Sequence, residues 1–318
     1  MSGLALRRLG ASGLSVSVVG VGCNNFGRRL DASGAARVVH AALDAGVNLF
    51  DTADIYGGGA SEEILGAALE GRRDRAVIAT KVGGAMGDSW AERGASRRWI
   101  RLAVEASLRR LRTEWIDLYQ VHFPDPETPI EETLEALDDL VHSGLVRYVG
   151  SSNFAGWEIA DAEWTARSRH VTRFVSAQNR YNLLQRQVER EVIPVCRRHG
   201  IGLIPYYPLA AGVLTGKYQL GETPRADTRL GRVPQLASEL LTDRNFDIVD
   251  ALREYAAARH ITLLDVAIGG LAAQPQVASV IAGAMTPEQV HANVTAASWI
   301  PSASDHDELD RIAPRPSE

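Results

Sequence analysis

The stretch Val47-Asn48-Leu49-Phe50-Asp51-Thr52-Ala53-Asp54-Ile55-Tyr56-Gly57 is a short apolar run that opens into a loop carrying a carboxylate and a phenol. The next apolar run, Ala76-Val77-Ile78-Ala79-Thr80-Lys81, closes on a lysine. The one after it, Ile116-Asp117-Leu118-Tyr119-Gln120-Val121-His122, closes on a histidine. Apolar runs without clean alternation are expected of parallel strands buried on both faces. If these three strands are parallel neighbours, Asp51, Tyr56, Lys81 and His122 meet at their carboxyl ends, where parallel α/β folds build active sites.

The same pattern recurs outward from that stretch, at residues 16–21, 147–151, 174–178, 202–206 and 278–282, which makes eight candidate strands. Segments of helical period separate them. Residues 35–45 stop at Gly46, a natural left-handed cap. Residues 61–69 open on Ser61 as N-cap, with Glu62 and Glu63 in the first turn where the helix dipole favours anions. Residues 130–142 start acidic and stop at Ser143-Gly144. A strand-to-strand spacing of roughly 30 residues is that of a βαβ repeat. Eight such units in one domain, residues 1–318, predict an α/β fold of the closed (β/α)8 TIM-barrel type. An open doubly wound sheet, usually of about five or six strands, is the competitor. Two additions are legible. Residues 4–9 and 14–16 flank Gly10-Ala11-Ser12-Gly13, a hairpin signal that would plug the barrel bottom. The interval between the seventh and eighth strands is long, with a Pro/Gly/Arg-rich loop at 218–234 and helical stretches near 246–259 and 263–273. Connections of that length serve as lids or binding loops.

Bulk composition narrows the function classes. Hydrophobic content of 45% and charged content of 23% are those of a globular chain, and a net charge of −5 gives no nucleic-acid surface. Cys23 and Cys196 are too few for a disulfide framework or a zinc cluster. The first residues lack the apolar core of a signal peptide. The charge-free stretch 266–287 is broken by Gln274-Pro275-Gln276, so no membrane span is expected and the expected compartment is the cytoplasm.

Tyr56 and Lys81 make chemical sense together. A phenol of pKa about 10 is a reluctant acid, and an ammonium about 4 Å away attracts the phenolate by roughly 4 kcal/mol. That pull alone would lower the phenol by two to three units, before burial opposes it. Asp51 would keep Lys81 charged, and His122 would orient the substrate oxygen. The set suits proton delivery to a carbonyl or removal from an alcohol. Reduction also needs a hydride source, which no side chain supplies. Yet Gly20-Val21-Gly22-Cys23-Asn24-Asn25 lacks the third glycine of a dinucleotide fingerprint, and no phosphate-loop motif occurs. Strand ends without a His-x-His or carboxylate-rich cluster offer no metal site. Cys23 and Asn24 end the first strand and are placed to touch a ligand; Trp90, Phe123 and Trp157 are candidate pocket walls, and Asp54 is read as a turn stabiliser.

Taken in order along the chain, further motifs are Leu9-Gly10-x-Ser12-Gly13-Leu14-x-Val16-Ser17, Ser61-Glu62, Gly150-Ser151-Ser152-Asn153-Phe154, Gln178-Asn179-x-Tyr181-Asn182 and Tyr206-x-Pro208-Leu209. Thr215-Gly216-Lys217-Tyr218 and Gly283-Ala284-x-x-Pro287-Glu288-Gln289-x-x-x-Asn293 complete the series. With the Asp51–Tyr56 loop, Lys81 and His122, they make the sequence resemble the aldo-keto reductases over nearly its whole length. The resemblance implies a catalytic tetrad of Asp51, Tyr56, Lys81 and His122, with Tyr56 as general acid, and an extended NADP(H) along the barrel top. By position, Ser152, Asn153 and Gln178 would hold the nicotinamide carboxamide and Tyr206 would stack on the ring. Leu209, Gly212 and Lys217 would line the pyrophosphate, Gly283, Gln289 and Asn293 would face the adenosine end, and Arg229 would add positive charge. Met285 and Ala292 stand where the family often carries a 2′-phosphate ligand and an adenine-contacting carboxylate, which leaves NAD(H) open. The implied partner is a small carbonyl or alcohol substrate, in a chain free to form a homo-oligomer. An alternative role is an NADP(H)-binding redox sensor, since Asp125-Pro126-Glu127-Thr128-Pro129-Ile130-Glu131-Glu132-Thr133 resembles the branch that includes potassium-channel β subunits. His122 argues for turnover.

Overall fold

The computed structural model describes residues 4–316. It opens with an antiparallel hairpin, β1 (Leu6–Arg8) and β2 (Ser15–Ser17), in the register Leu6↔Ser17. Eight parallel strands follow: β3 (Val19–Gly22), β4 (Leu49–Asp51), β5 (Val77–Val82), β6 (Ile116–Val121), β7 (Val146–Ser152), β8 (Ser176–Gln178), β9 (Gly202–Leu203) and β10 (Val280–Gly283). They pair in chain order from β3 to β9, with β10 on the outer side of β3. Bridges Leu203↔Val277 and Tyr206↔Ile281 join the two edges, so the sheet curls round on itself as a (β/α)8 barrel.

Helices α1 (Ala32–Asp44), α2 (Ala60–Ala68), α3 (Arg97–Leu111), α4 (Ile130–His142), α5 (Gly156–Arg169) and α6 (Val192–His199) cover the successive strands. Between β9 and β10 come α7 (Arg229–Arg232), α8 (Pro234–Leu240), α9 (Asp243–Ala258) and α10 (Leu263–Ala272), and α11 (Pro287–Ala296) and α12 (Ala303–Ile312) end the chain. The extra helices share an apolar core of their own, around Leu240, Phe246, Leu252 and Leu309.

The hairpin seals the floor. Leu9 and Val16 pack with Leu49, Leu118, Ile204 and Ile281 inside the barrel, and the amide of Ala11 donates to the carbonyl of Gly200 at 2.7 Å. Gly10 sits at φ 57°, and a Cβ there would lie 2.3 Å from the Gly200 carbonyl. Only glycine fits so close a backbone crossing.

Most boundaries differ from the sequence reading by a few residues, and three of the differences have a structural reason. The expected strand at 16–21 divides, because Ser15–Ser17 pairs back on Leu6–Arg8 before Val19–Gly22 joins the barrel. The expected strand at 202–206 is regular only at Gly202–Leu203, although Tyr206 still bridges both neighbours. Ser61 is not the cap of α2. Gly59 is, at φ 98°, while the Ser61 hydroxyl donates to the carbonyl of Cys23 at 2.9 Å.

Candidate active site

Parallel register brings the ionisable groups together at the carboxyl ends of β4, β5 and β6. Asp51 is the last residue of β4, Lys81 lies in β5, and His122 follows β6 with its amide donating to the carbonyl of Val82 at 2.8 Å. Tyr56 starts the turn after β4, and the chain folds away from it through Gly57 and Gly58, both at positive φ. Lys81 Nζ, fully buried, donates to both Asp51 oxygens at 2.9 and 3.0 Å, to the Thr52 carbonyl at 2.7 Å, and toward Tyr56 Oη at 3.5 Å. The Tyr56 ring stands edge-on to His122, with 5.8 Å between centroids, and His122 stacks on Phe123 at 4.4 Å.

The electrostatics follow from burial. Desolvation works against the Lys81 charge, but Asp51 and Tyr56 outweigh it and hold the ammonium above its ordinary value. For Tyr56 the balance is opposite to the sequence expectation. Burial pushes the phenol above 10.0 against the pull of Lys81, and Asp51 adds to the rise. The phenolate loses its hydration while most of the lysine charge is already answered by Asp51. Burial and then Lys81 push the His122 imidazole down to about 3, so it is neutral at physiological pH, and its buried Nδ1 has no partner.

One cavity of about 500 Å³ is lined by Asp51, Tyr56 and His122 and runs to the start of α11. Lys81 lies behind its wall. All eleven residues expected to hold a cofactor border it: Ser152, Asn153, Gln178, Tyr206, Leu209, Gly212, Lys217, Arg229, Gly283, Gln289 and Asn293. Asn153 donates to the His122 carbonyl at 2.9 Å and to Ser152 Oγ at 3.1 Å, and accepts from Tyr206 Oη at 2.7 Å. Gln178 Nε2 donates to Asp51 Oδ1 at 2.7 Å, a partner not expected from the sequence. Lys217 lies against Gly212 and 5.1 Å from the Tyr218 ring, and pairs with no carboxylate among the described residues. Arg229 stacks 4.5 Å over Tyr207, bonds its hydroxyl, and reaches Asn24 Oδ1 at 3.3 Å. Its Nε is buried without a partner. Gln289 accepts the amide of Met285 at 2.7 Å, at the first turn of α11.

Phe123 and Asn24 border the cavity as expected, whereas Cys23 is packed into the core. Trp90 and Trp157 do not line it. Trp90 is 80% exposed, and Trp157 belongs to a separate cavity of about 350 Å³. Arg29, Tyr207 and Thr215 line the main cavity without having been singled out. Arg29 donates to the Asp227 carbonyl at 2.9 Å and so ties the loop before α1 to the long loop before α7. Adjacency to Tyr206 pointed toward Tyr207, and Thr215 opens the Thr215–Tyr218 motif without having been given a role of its own. Among the described residues no His/Cys/Asp/Glu group could hold a metal, and no helix is long and apolar enough to cross a membrane.

Comparison with known proteins gives this geometry a family. The chain is 38% identical to a probable voltage-gated potassium channel subunit beta of Arabidopsis thaliana, over 93% of this chain and 92% of the relative. It is 38% identical to the uncharacterized oxidoreductase YrpG of Bacillus subtilis, over 91% and 89%. It is 36% identical to the versiconal hemiacetal acetate reductase of Aspergillus parasiticus, over 84% and 85%. Two of these three relatives carry the name of an oxidoreductase or reductase. The sequence profile of the aldo/keto reductase family matches residues 18–314, and the chain belongs to that family.

Proposed function

We propose that this protein is an NADPH-dependent oxidoreductase that reduces aldehydes or ketones to alcohols. The observation that carries the reading is the buried Asp51–Lys81 pair with the Tyr56 hydroxyl 3.5 Å from the ammonium, at the edge of a cavity of about 500 Å³ that runs to the start of α11. The cavity suits an anionic cofactor. Among the described residues Lys217 pairs with no carboxylate, the Arg229 Nε lacks a partner, and Asp51, the one carboxylate lining the cavity, is already neutralised by Lys81. Ser152, Asn153, Gln178 and Tyr206 would hold the nicotinamide end, Leu209, Gly212, Lys217 and Arg229 the phosphates, and Gly283, Gln289 and Asn293 the adenosine end. When bound, the cofactor supplies hydride to the carbonyl carbon.

The chain's own part is the proton. Tyr56, held above the ordinary phenol range, keeps its hydrogen throughout the physiological range and has it to give. As the carbonyl oxygen gains electron density, Tyr56 Oη donates to it. The phenolate that forms is met by Lys81, which Asp51 and the Thr52 carbonyl hold in place, Asp51 being held in turn by Gln178. Neutral His122 contributes a dipole and a hydrogen bond, not a charge. NADPH oxidation followed by absorbance with a panel of aldehydes tests the activity, and dissociation constants for NADPH and NADH test the preference. A second reading, a redox-sensing subunit with little turnover, is favoured by the likeness to the plant channel subunit beta. Tight NADPH binding with no turnover on any simple carbonyl would select it.

A further inference from the structure

A second set of ionisable side chains is buried beside the Asp51–Lys81 pair but off the cavity. Glu62 on α2 has no exposure, accepts from Thr80 Oγ1 at 2.5 Å, and is paired with Arg110 on α3 at 2.7 Å. Asp54 is equally buried. Its Oδ1 accepts the amide of Ile55 at 2.7 Å, in the turn that leads to Tyr56, while its Oδ2 and the hydroxyl of Tyr119 on β6 have no partner. The charged and titratable groups acting on Asp54 are Glu62, Arg110 and Lys81, and Tyr119 feels Asp54 in turn. Arg110 is engaged by Glu62, and Lys81 by Asp51. A third carboxylate would therefore be a bare buried charge, with an oxygen that no donor reaches. A neutral carboxylic acid needs no counter-ion.

We propose that Asp54 is a positioning residue that works as a neutral acid, holding the Tyr56 turn through Ile55 while sparing Lys81 a second carboxylate. This rests on Tyr56 being the proton donor of a carbonyl reduction. Burial, and then the charge of Glu62, push the Asp54 carboxyl up to about 7, so it ionises in the working range. Above that range its negative charge offsets Lys81 and disfavours the phenolate that reduction leaves on Tyr56. The phenol itself does not titrate there.

Infrared difference spectra of the intact protein give a readout independent of turnover. A band of a protonated carboxylic acid is expected below neutrality, lost as pH rises through about 7 and missing in Asp54→Asn. The reduction rate of the wild type is expected to fall on the order of tenfold between about pH 6 and pH 9, as the new negative charge opposes the phenolate. Asp54→Asn, which keeps an acceptor for Ile55, is expected to flatten that fall. If the variant does not fold, ¹³C-aspartate labelling of the wild type must show one carboxyl resonance titrating near neutrality. No such titration, or an unchanged alkaline fall in Asp54→Asn, overturns the proposal. A preparation that shows the titration but reduces no carbonyl overturns the proton-donor reading of Tyr56, and the positioning role with it.

Discussion

Tyr56→Phe separates the chemistry of this site from its architecture. The hydroxyl it removes has one protein partner, Lys81 Nζ, at the long distance of 3.5 Å. Lys81 keeps its contacts to Asp51 and Thr52, and the ring keeps its edge-on contact with His122. A single long hydrogen bond contributes at most about 1 kcal/mol to folding, so the thermal transition should move by no more than a few degrees. A general acid that has lost its proton costs much more. Removal of such a group typically lowers rates by about 10²–10⁴-fold, which corresponds to about 3–5 kcal/mol of transition-state stabilisation. The assay is NADPH oxidation with a reactive aromatic aldehyde, alongside NADPH affinity by fluorescence and unfolding by calorimetry. The expected signature is a collapse of kcat with cofactor affinity within about threefold of the parent, since the lost interaction forms only in the transition state. A fall of less than about tenfold in kcat would refute the assignment of Tyr56 as proton donor. So would a fall matched by an equal loss of NADPH affinity.

Three further outcomes are expected. Lys81 and Lys217 are the only lysines in the sequence, and Lys81 is fully buried. An amine-acylating reagent should therefore modify one side chain in the native protein, Lys217, and saturating NADPH should suppress it; peptide mass spectrometry showing equal labelling with and without cofactor would remove Lys217 from the site. His122 is depressed from 6.5 to about 3, so the unfolded chain binds the extra proton and stability is lost as pH falls through that window, at about 1.4 kcal/mol per unit. Asp54 is raised from 3.8 to about 7, so the folded chain binds its proton and stability is lost as pH rises through that window. The two slopes oppose each other between about pH 4 and 6.5. Asp54→Asn should expose the His122 slope in urea titrations; a variant whose pH slope matches the parent would contradict the Asp54 assignment, and one with no loss of stability on the acid side would contradict that of His122. Gly10→Ala should destabilise by at least about 1–3 kcal/mol, from the left-handed backbone alone, with a further cost from the Gly200 carbonyl. A urea midpoint unchanged from wild type would show that the hairpin can shift off the barrel floor.

The meeting of Asp51, Tyr56, Lys81 and His122 was legible because it is written in local terms. Asp51, Lys81 and His122 each close an apolar run, and parallel strands in register put run ends side by side. The residues proposed to hold a cofactor were picked out through motifs, and each of them borders the cavity. What sequence could not supply depends on depth and on partners far along the chain. The direction of the Tyr56 shift turns on how much water the turn excludes. The grip of Gln178 on Asp51 spans 127 positions. The stacking of Arg229 on Tyr207 and the tie from Arg29 to Asp227 are set by how the long insertion folds back over the barrel mouth. Strand length was also misjudged, as at Gly202–Leu203, because a strand ends where its neighbours stop offering partners, not where apolar residues stop.

The Asp51–Lys81 pair has an implication for how activity is gained and lost in descendants of this chain. Deleting either member abandons an unmatched ion in the interior, a penalty of about 3–5 kcal/mol that rivals the whole margin holding a protein folded. The Tyr56 hydroxyl carries no such obligation. Drift toward a silent, ligand-holding role would thus erase the phenol early and keep the ion pair long afterwards. On the proposed role of Tyr56, an intact aspartate and lysine in sequences that share this scaffold testify to a surviving fold, and the tyrosine is the better witness to surviving turnover.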